Sequence, residues 1–130
     1  MKFMCLVHFE PANFEGLTED DGRRITDLTI EQDHDLRRRG KLIFARPLDE
    51  PQKAVTVRIR KGKLRRSDGP FSEAKEWVGG FLLIEAADMD EAVAIAAGCE
   101  IAKYSSIEVR ALVEQTHSAT GLGRPGVEAR

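Results

Sequence analysis

The stretch KFMCLVHFE, residues 2–10, constrains this chain more than any other. It is apolar almost throughout and too short for a typical helix, so it reads as a strand buried on both faces. Alternation puts Met4, Leu6 and His8 on one face and Phe3, Cys5, Val7 and Phe9 on the other. Both faces therefore demand cover. The helices of this chain can supply one layer, and a second copy is the economical source of the other, because an exposed apolar sheet would be a large sticky patch.

The rest of the chain supplies a helix-and-strand alternation. Pro11, Asn13 and Gly16 break the first strand. Thr18 reads as an N-cap, with Glu19, Asp20 and Asp21 in the first turn, where the helix dipole favours negative charge. Ile25, Leu28, Thr29, Gln32 and Leu36 mark the inward stripe of a helix over about 19–39, which Gly40 ends. Residues 41–48 read as a strand. Residues 54–60 alternate, with Val55, Val57 and Ile59 facing one way and Thr56, Arg58 and Arg60 the other. Lys61-Gly62-Lys63 turns the chain, and Leu64 to Ser67 returns as the second arm of a hairpin. Gly79 to Ala87 is a further strand. Asp88 caps an Ala-rich helix in a pattern resembling a capping box with Glu91, and residues 105–113 form the last strand. The tail from Gln115 is Gly/Pro-rich and reads as flexible, which leaves one domain over residues 1–114.

The order is β-α-β, a hairpin, then β-α-β. This predicts an α+β fold: a ferredoxin-like split β-α-β with an inserted β-hairpin, both helices on one face of an antiparallel sheet. A length of 130 residues suits one such domain.

Charge and composition narrow the partners. A net charge of −2 argues against a dedicated nucleic-acid or membrane-surface binder, and no apolar run approaches the ~20 residues of a membrane helix. No small-residue cleavage site follows MKFMCLVHFEPANF, so this segment is expected to remain as a strand of the mature protein. Cys5 and Cys99 form no CxxC and lie in apolar stretches, as expected of buried thiols in the cytoplasm. His8, His34 and His117 do not have metal-ligand spacing, so neither a metal nor another cofactor is expected.

The segment SDGPFSEAKEWVGGFLLIE, residues 67–85, is the densest in chemical groups. Asp68 is either the initiator of an Asx-type turn or a general base whose pKa burial would raise. Phe71 is a core plug or a pocket wall. Lys75 and Glu76 are solvated or line a cleft, and Trp77 is an anchor or a wall. Gly79-Gly80 lets the chain bend or lets another backbone approach. His8 is a second candidate base, and Glu108 and Arg110 share one face of the last strand, where Arg110 is placed to pair with Glu85 or a helix carboxylate. Arg58, Arg60, Lys61, Lys63, Arg65 and Arg66 make the hairpin basic: a solvated edge, or a strip for a carboxylate or phosphate.

DGPFSEAKEWVGGFLLIEAADMDEAVAIA, with TVRIRKGK before it and SSIEVRALV after it, resembles the YCII-related family, in the subgroup named for its Asp-Gly-Pro-Phe motif. The resemblance runs from the first strand to about Val113. It implies a dimeric α+β barrel, two ferredoxin-like subunits joined sheet to sheet. That superfamily contains muconolactone isomerases, cofactor-free monooxygenases and a chlorohydroxyquinone dehydrochlorinase. Some members of the subgroup are encoded near, or fused to, extracytoplasmic-function sigma factors.

Two functions follow as expectations. The first is a cofactor-free acid–base enzyme on a small acidic or phenolic metabolite. Asp68 or His8 would move the proton, Arg46 or Arg58 would hold an anion, and Phe71, Lys75, Glu76 and Trp77 would line the pocket. The second is a non-catalytic homodimeric module that binds a ligand or a regulatory protein such as a sigma factor.

Overall fold

The computed structural model of the chain describes residues 1–69 and 76–126. Its strands are β1 (Lys2–Phe9), β2 (Leu42–Pro47), β3 (Val55–Arg60), β4 (Lys63–Asp68), β5 (Trp77–Glu85) and β6 (Ser105–Ala111), and its α-helices are α1 (Glu19–Arg38) and α2 (Met89–Ala97). Four strands make an antiparallel sheet in the order β2-β5-β1-β6, and β3 and β4 pair separately as a hairpin. The architecture is mixed α+β.

The two faces of β1 divide as their alternation predicts. Phe3, Cys5 and Val7 are buried, and Ile84, Leu82 and Leu42 join them from the neighbouring strands. Leu36 of α1 and Ala92, Ile95 and Ala96 of α2 close over this layer, so both helices lie on one side of the sheet. The small Ala side chains let α2 approach the sheet closely. The opposite face carries Met4, Leu6 and His8 of β1 and Phe81 and Leu83 of β5, all only partly buried. On β2, the ring of Phe44 lies 5.8 Å from that of Phe81.

Local sequence explains the boundaries. Thr18 caps α1: its hydroxyl accepts from the Asp21 N–H at 3.1 Å, and the Asp21 carboxylate accepts from the Thr18 N–H at 3.0 Å. Asp88 caps α2 by accepting from the Glu91 N–H, but the return bond of a capping box is missing. The Glu91 carboxylate instead accepts from the Ala87 N–H and pairs with Lys41 at 2.8 Å, tying β2 to α2. A bulge at Ile43 interrupts the β2–β5 ladder, and the Arg37 guanidinium donates to the Leu42 and Ile43 carbonyls there.

Three expectations need adjustment. β5 begins at Trp77 rather than Gly79, because Phe9 and Trp77 pair across the strands. Short 3-10 turns form at Pro11–Phe14 and Glu100–Lys103 where only breaks were read. Arg110 does not pair with Glu85, whose carboxylate takes Lys2 and the N-terminal amine instead. Among the described residues beyond β6, 112–126 are exposed and carry one bridge between Thr116 and Gly123. Among the described residues no helix is long and apolar enough to cross a membrane.

Candidate functional site

A cleft of about 410 Å³ opens between α1 and the sheet. It exists because both walls lack bulk. On α1, Gly22, Thr26, Thr29 and Asp33 recur at helical spacing and face it, and on the sheet Ala45, Gly79 and Gly80 do so. A side chain at either sheet glycine would collide. A Cβ on Gly80 would sit 3.1 Å from the Arg46 carbonyl oxygen and 3.3 Å from Pro47 Cα, and one on Gly79 would sit 3.0 Å from Phe9 Cβ. The Gly pair thus serves close approach.

Aromatic rings bound one end. Phe9 stacks on Phe14 with centroids 4.4 Å apart, and its other neighbour is Trp77 at 5.4 Å. Phe14 continues the row to Tyr104 at 5.6 Å. The row uses the only Trp and the only Tyr of the chain. Such a wall favours a flat, apolar guest.

The polar group of interest in this cleft is Asp33, partly buried on α1. Burial pushes its carboxyl up from the usual carboxylate value, and the charges of His34 and Arg46 pull it part of the way back. The helix is pinned one residue earlier. Gln32 donates to the Gly98 carbonyl at 3.3 Å and accepts from the Glu100 N–H at 2.9 Å, which fixes the rotation that aims position 33 at the cleft. Cys99 also lines the cleft; its thiol is held up by burial and by the Asp33 charge, so it is a poor nucleophile. Cys5 lies deeper, and burial pushes it to about 11, with Cys99 adding to the effect.

A second arrangement lies on the open side of the sheet. His8 Nε2 is 2.9 Å from Glu108 Oε1. An ionised carboxylate only accepts, so Nε2–H donates and Nδ1 is left as the acceptor of the neutral ring. The sequence named His8 but assigned Glu108 no partner in it. The two groups meet because β1 and β6 pair in a register that sets Leu6 opposite Glu108.

The remaining sequence candidates disperse. Arg46 borders the cleft through β2 and lays its guanidinium 4.4 Å over the Phe44 ring, donating to the Ala45 carbonyl. Trp77 contributes through Phe9. Asp68 ends β4 with its side chain 88% exposed and Arg66 4.0 Å away. It therefore belongs to the separate hairpin sheet and not to the strands that carry His8 or face Asp33. Arg58 lies on the hairpin and Glu76 is exposed just before β5. Phe71 and Lys75 fall outside the described residues. Sequence reading did not single out Asp33. Its signal was the stripe of small and polar residues at 22, 26, 29 and 33, beside the apolar stripe. No group of three or more His, Cys, Asp or Glu among the described residues is placed to hold a metal ion.

Comparison with known proteins agrees with this picture of a small domain. An uncharacterised protein of Rhizobium meliloti (strain 1021) is 38% identical over 96 residues, which cover 72% of this chain and 77% of that protein. Residues 1–116 match the model of the YCII-related domain, and the chain belongs to that family.

Proposed function

We propose that this protein is a cofactor-free acid–base enzyme that takes a small, flat, phenolic or weakly acidic metabolite into the cleft beneath α1. The observation that carries the reading is Asp33: a carboxylate whose proton affinity burial has raised, set in an apolar cleft that Phe9 and Phe14 also line. A base of this kind holds a proton more readily than an exposed Asp, which brings it closer to the range useful near neutral pH. Asp33 would accept a proton from an O–H or an acidic C–H of the guest. Returning that proton to a different carbon gives isomerisation; expelling an anion from the adjacent carbon gives elimination. Positive charge from Arg46 favours the anionic intermediate.

The finer architecture fits the same reading. The sheet order β2-β5-β1-β6, with two helices on one side, supports reading the fold as a ferredoxin-like split β-α-β that carries the β3–β4 hairpin as an insert. Membership in the Asp-Gly-Pro-Phe subgroup rests on residues 68–71, of which Asp68 and Gly69 are described. The open sheet face, with Phe44 and Val78 exposed beside Met4, Leu6, Phe81 and Leu83, suits a homodimer closed sheet to sheet as an α+β barrel. Such closure would bring His8 and Glu108 inside. The domain is read as residues 1–114, in a cytoplasmic protein.

The test is a screen of phenols and small carboxylic acids, with consumption followed by mass spectrometry. Turnover by the wild type that falls by about 100-fold or more in Asp33→Asn, while thermal-shift binding persists, is expected. Undiminished turnover in Asp33→Asn would remove Asp33 from the chemistry. Binding without consumption would favour the second reading, a dimeric ligand-binding or regulatory module, for which a sigma factor is the partner to seek by pull-down.

A further inference from the structure

We infer that the β3–β4 hairpin is an arm that docks on the body of a second copy of this chain. This goes beyond the sheet-to-sheet dimer proposed above and rests on that reading only in taking the chain to self-associate.

The hairpin is built to hold its own shape. Lys61 and Gly62 both adopt positive φ, 51° and 73°, the two-residue turn that matches strand twist. Six residue pairs are in register, from Val55↔Asp68 to Arg60↔Lys63. Yet β3 and β4 form no ladder with the main sheet, and every residue of the two strands except Thr56 is exposed. Among the described residues no other strand pairs with it, and a two-stranded hairpin this exposed is marginal in water. Covering its exposed side chains with another surface would stabilise it.

Register sorts the side chains into two faces. One carries Val55, Val57, Ile59 and Leu64, and the last three are 62%, 65% and 67% exposed. The other carries Arg60 opposite Lys63. Directly opposed like charges disfavour a ladder, so an acidic surface against this end of the arm would stabilise it.

Charge complementarity identifies the occupant. Residues 55–68 hold six cations and one carboxylate, net +5, within a chain of net charge −2, so the remaining residues carry −7. A basic arm with an apolar face fits the acidic body of another copy. The hairpin has no aromatic residue on which a base could stack, which favours a protein surface over single-stranded nucleic acid.

The experiment uses the full chain. Val57→Cys places a thiol on the arm while Cys5 and Cys99 are buried, so a benzophenone maleimide labels position 57 selectively. Irradiation should give an adduct at twice the 14.5 kDa chain mass, with the crosslinked peptide mapping to residues outside 55–68. Val57→Glu is the second probe. Val57 stands opposite Arg66, so the variant gains a cross-strand ion pair that keeps the hairpin formed while its apolar face is broken. Its dissociation constant for self-association should rise about tenfold or more by sedimentation, and more salt should weaken the wild type. Leu83→Glu, on the open sheet face, probes the sheet-to-sheet contact separately. A dimer that Leu83→Glu disrupts, but that Val57→Glu leaves unchanged with no arm adduct, would overturn the arm and leave the sheet contact standing. An arm adduct with an unchanged Leu83→Glu dimer would support the arm and count against the sheet contact. A wild type that sediments as a monomer, or an arm that crosslinks to co-purified nucleic acid, would also overturn it.

Discussion

Two glycines face the same cleft from opposite walls, and their substitution by Ala should change stability in opposite directions. At Gly80 the new methyl meets the Arg46 carbonyl oxygen at 3.1 Å and Pro47 Cα at 3.3 Å. Both are backbone atoms of β2, so neither can rotate away; the edge strand must shift by a few tenths of an ångström. Overpacking of this kind costs about 1–3 kcal/mol. Restricting the unfolded chain returns about 0.4–1 kcal/mol. The net expectation for Gly80→Ala is a loss of about 1–2 kcal/mol, or roughly 3–10 °C in melting temperature for a domain of this size. At Gly22 nothing lies within 4 Å of the added carbon, and the residue is helical. Gly22→Ala should therefore stabilise by about 0.5–1 kcal/mol. Urea and thermal melts by circular dichroism measure both. A Gly80→Ala variant as stable as the wild type would refute the claim that β2 is held against β5 at this point, and with it the reason for a firm cleft wall.

Asp33→Asn should raise the melting temperature near neutral pH. The folded-state pKa is raised, so the protonated group is the comfortable one: its contribution to stability is fully present below the unfolded value and is lost as pH rises through the folded value. The gain from Asn, which mimics the protonated form, should vanish at acid pH; a gain that is equally large there would show another cause. Removing residues 115–130 should leave the melting temperature nearly unchanged, since the described part of this tail is exposed; a fall of several degrees would show that the tail is docked. Glu91→Gln should weaken the tie between β2 and α2 near neutral pH, because Lys41 and the Ala87 N–H hold the Glu91 carboxyl below its usual value. The difference from wild type should shrink as pH falls through that lowered value, and a difference that is flat with pH would count against the pair.

The main-sheet strands and both α-helices were legible because each has a local cause. Strict alternation in Phe3, Cys5 and Val7 fixed the buried face of β1, and Thr18 with Asp21 fixed the start of α1. What escaped was set by tertiary contact. Trp77 joins β5 because a Phe9 partner awaits it across the sheet, and no residue near position 77 announces that. The turns at Pro11–Phe14 and Glu100–Lys103 lack any hydrophobic period, being held by packing and single backbone bonds.

The site was harder to read because a cavity is made by what two elements both lack. Small residues at 22, 26 and 29 and at 79 and 80 are visible in the sequence, but smallness alone does not say which of them oppose one another. That depends on how α1 is rotated about its axis. Adjacent helical positions differ by about 100°, so Asp33 and Asp35 face quite different surroundings although only His34 separates them. Asp35 turns outward to Arg38 and Arg39, while Asp33 turns to the cleft. The rotation is fixed by Gln32, whose partners Gly98 and Glu100 lie 66 and 68 residues further along the chain. Local pattern could place Gln32 on the inward stripe, yet its role there is to hold backbone groups at the end of α2. The acid–base candidate of this protein is thus defined by a long-range hydrogen-bond pair one residue away from it, and Gln32→Leu, which also changes the cleft lining at position 32, should loosen the aim of Asp33.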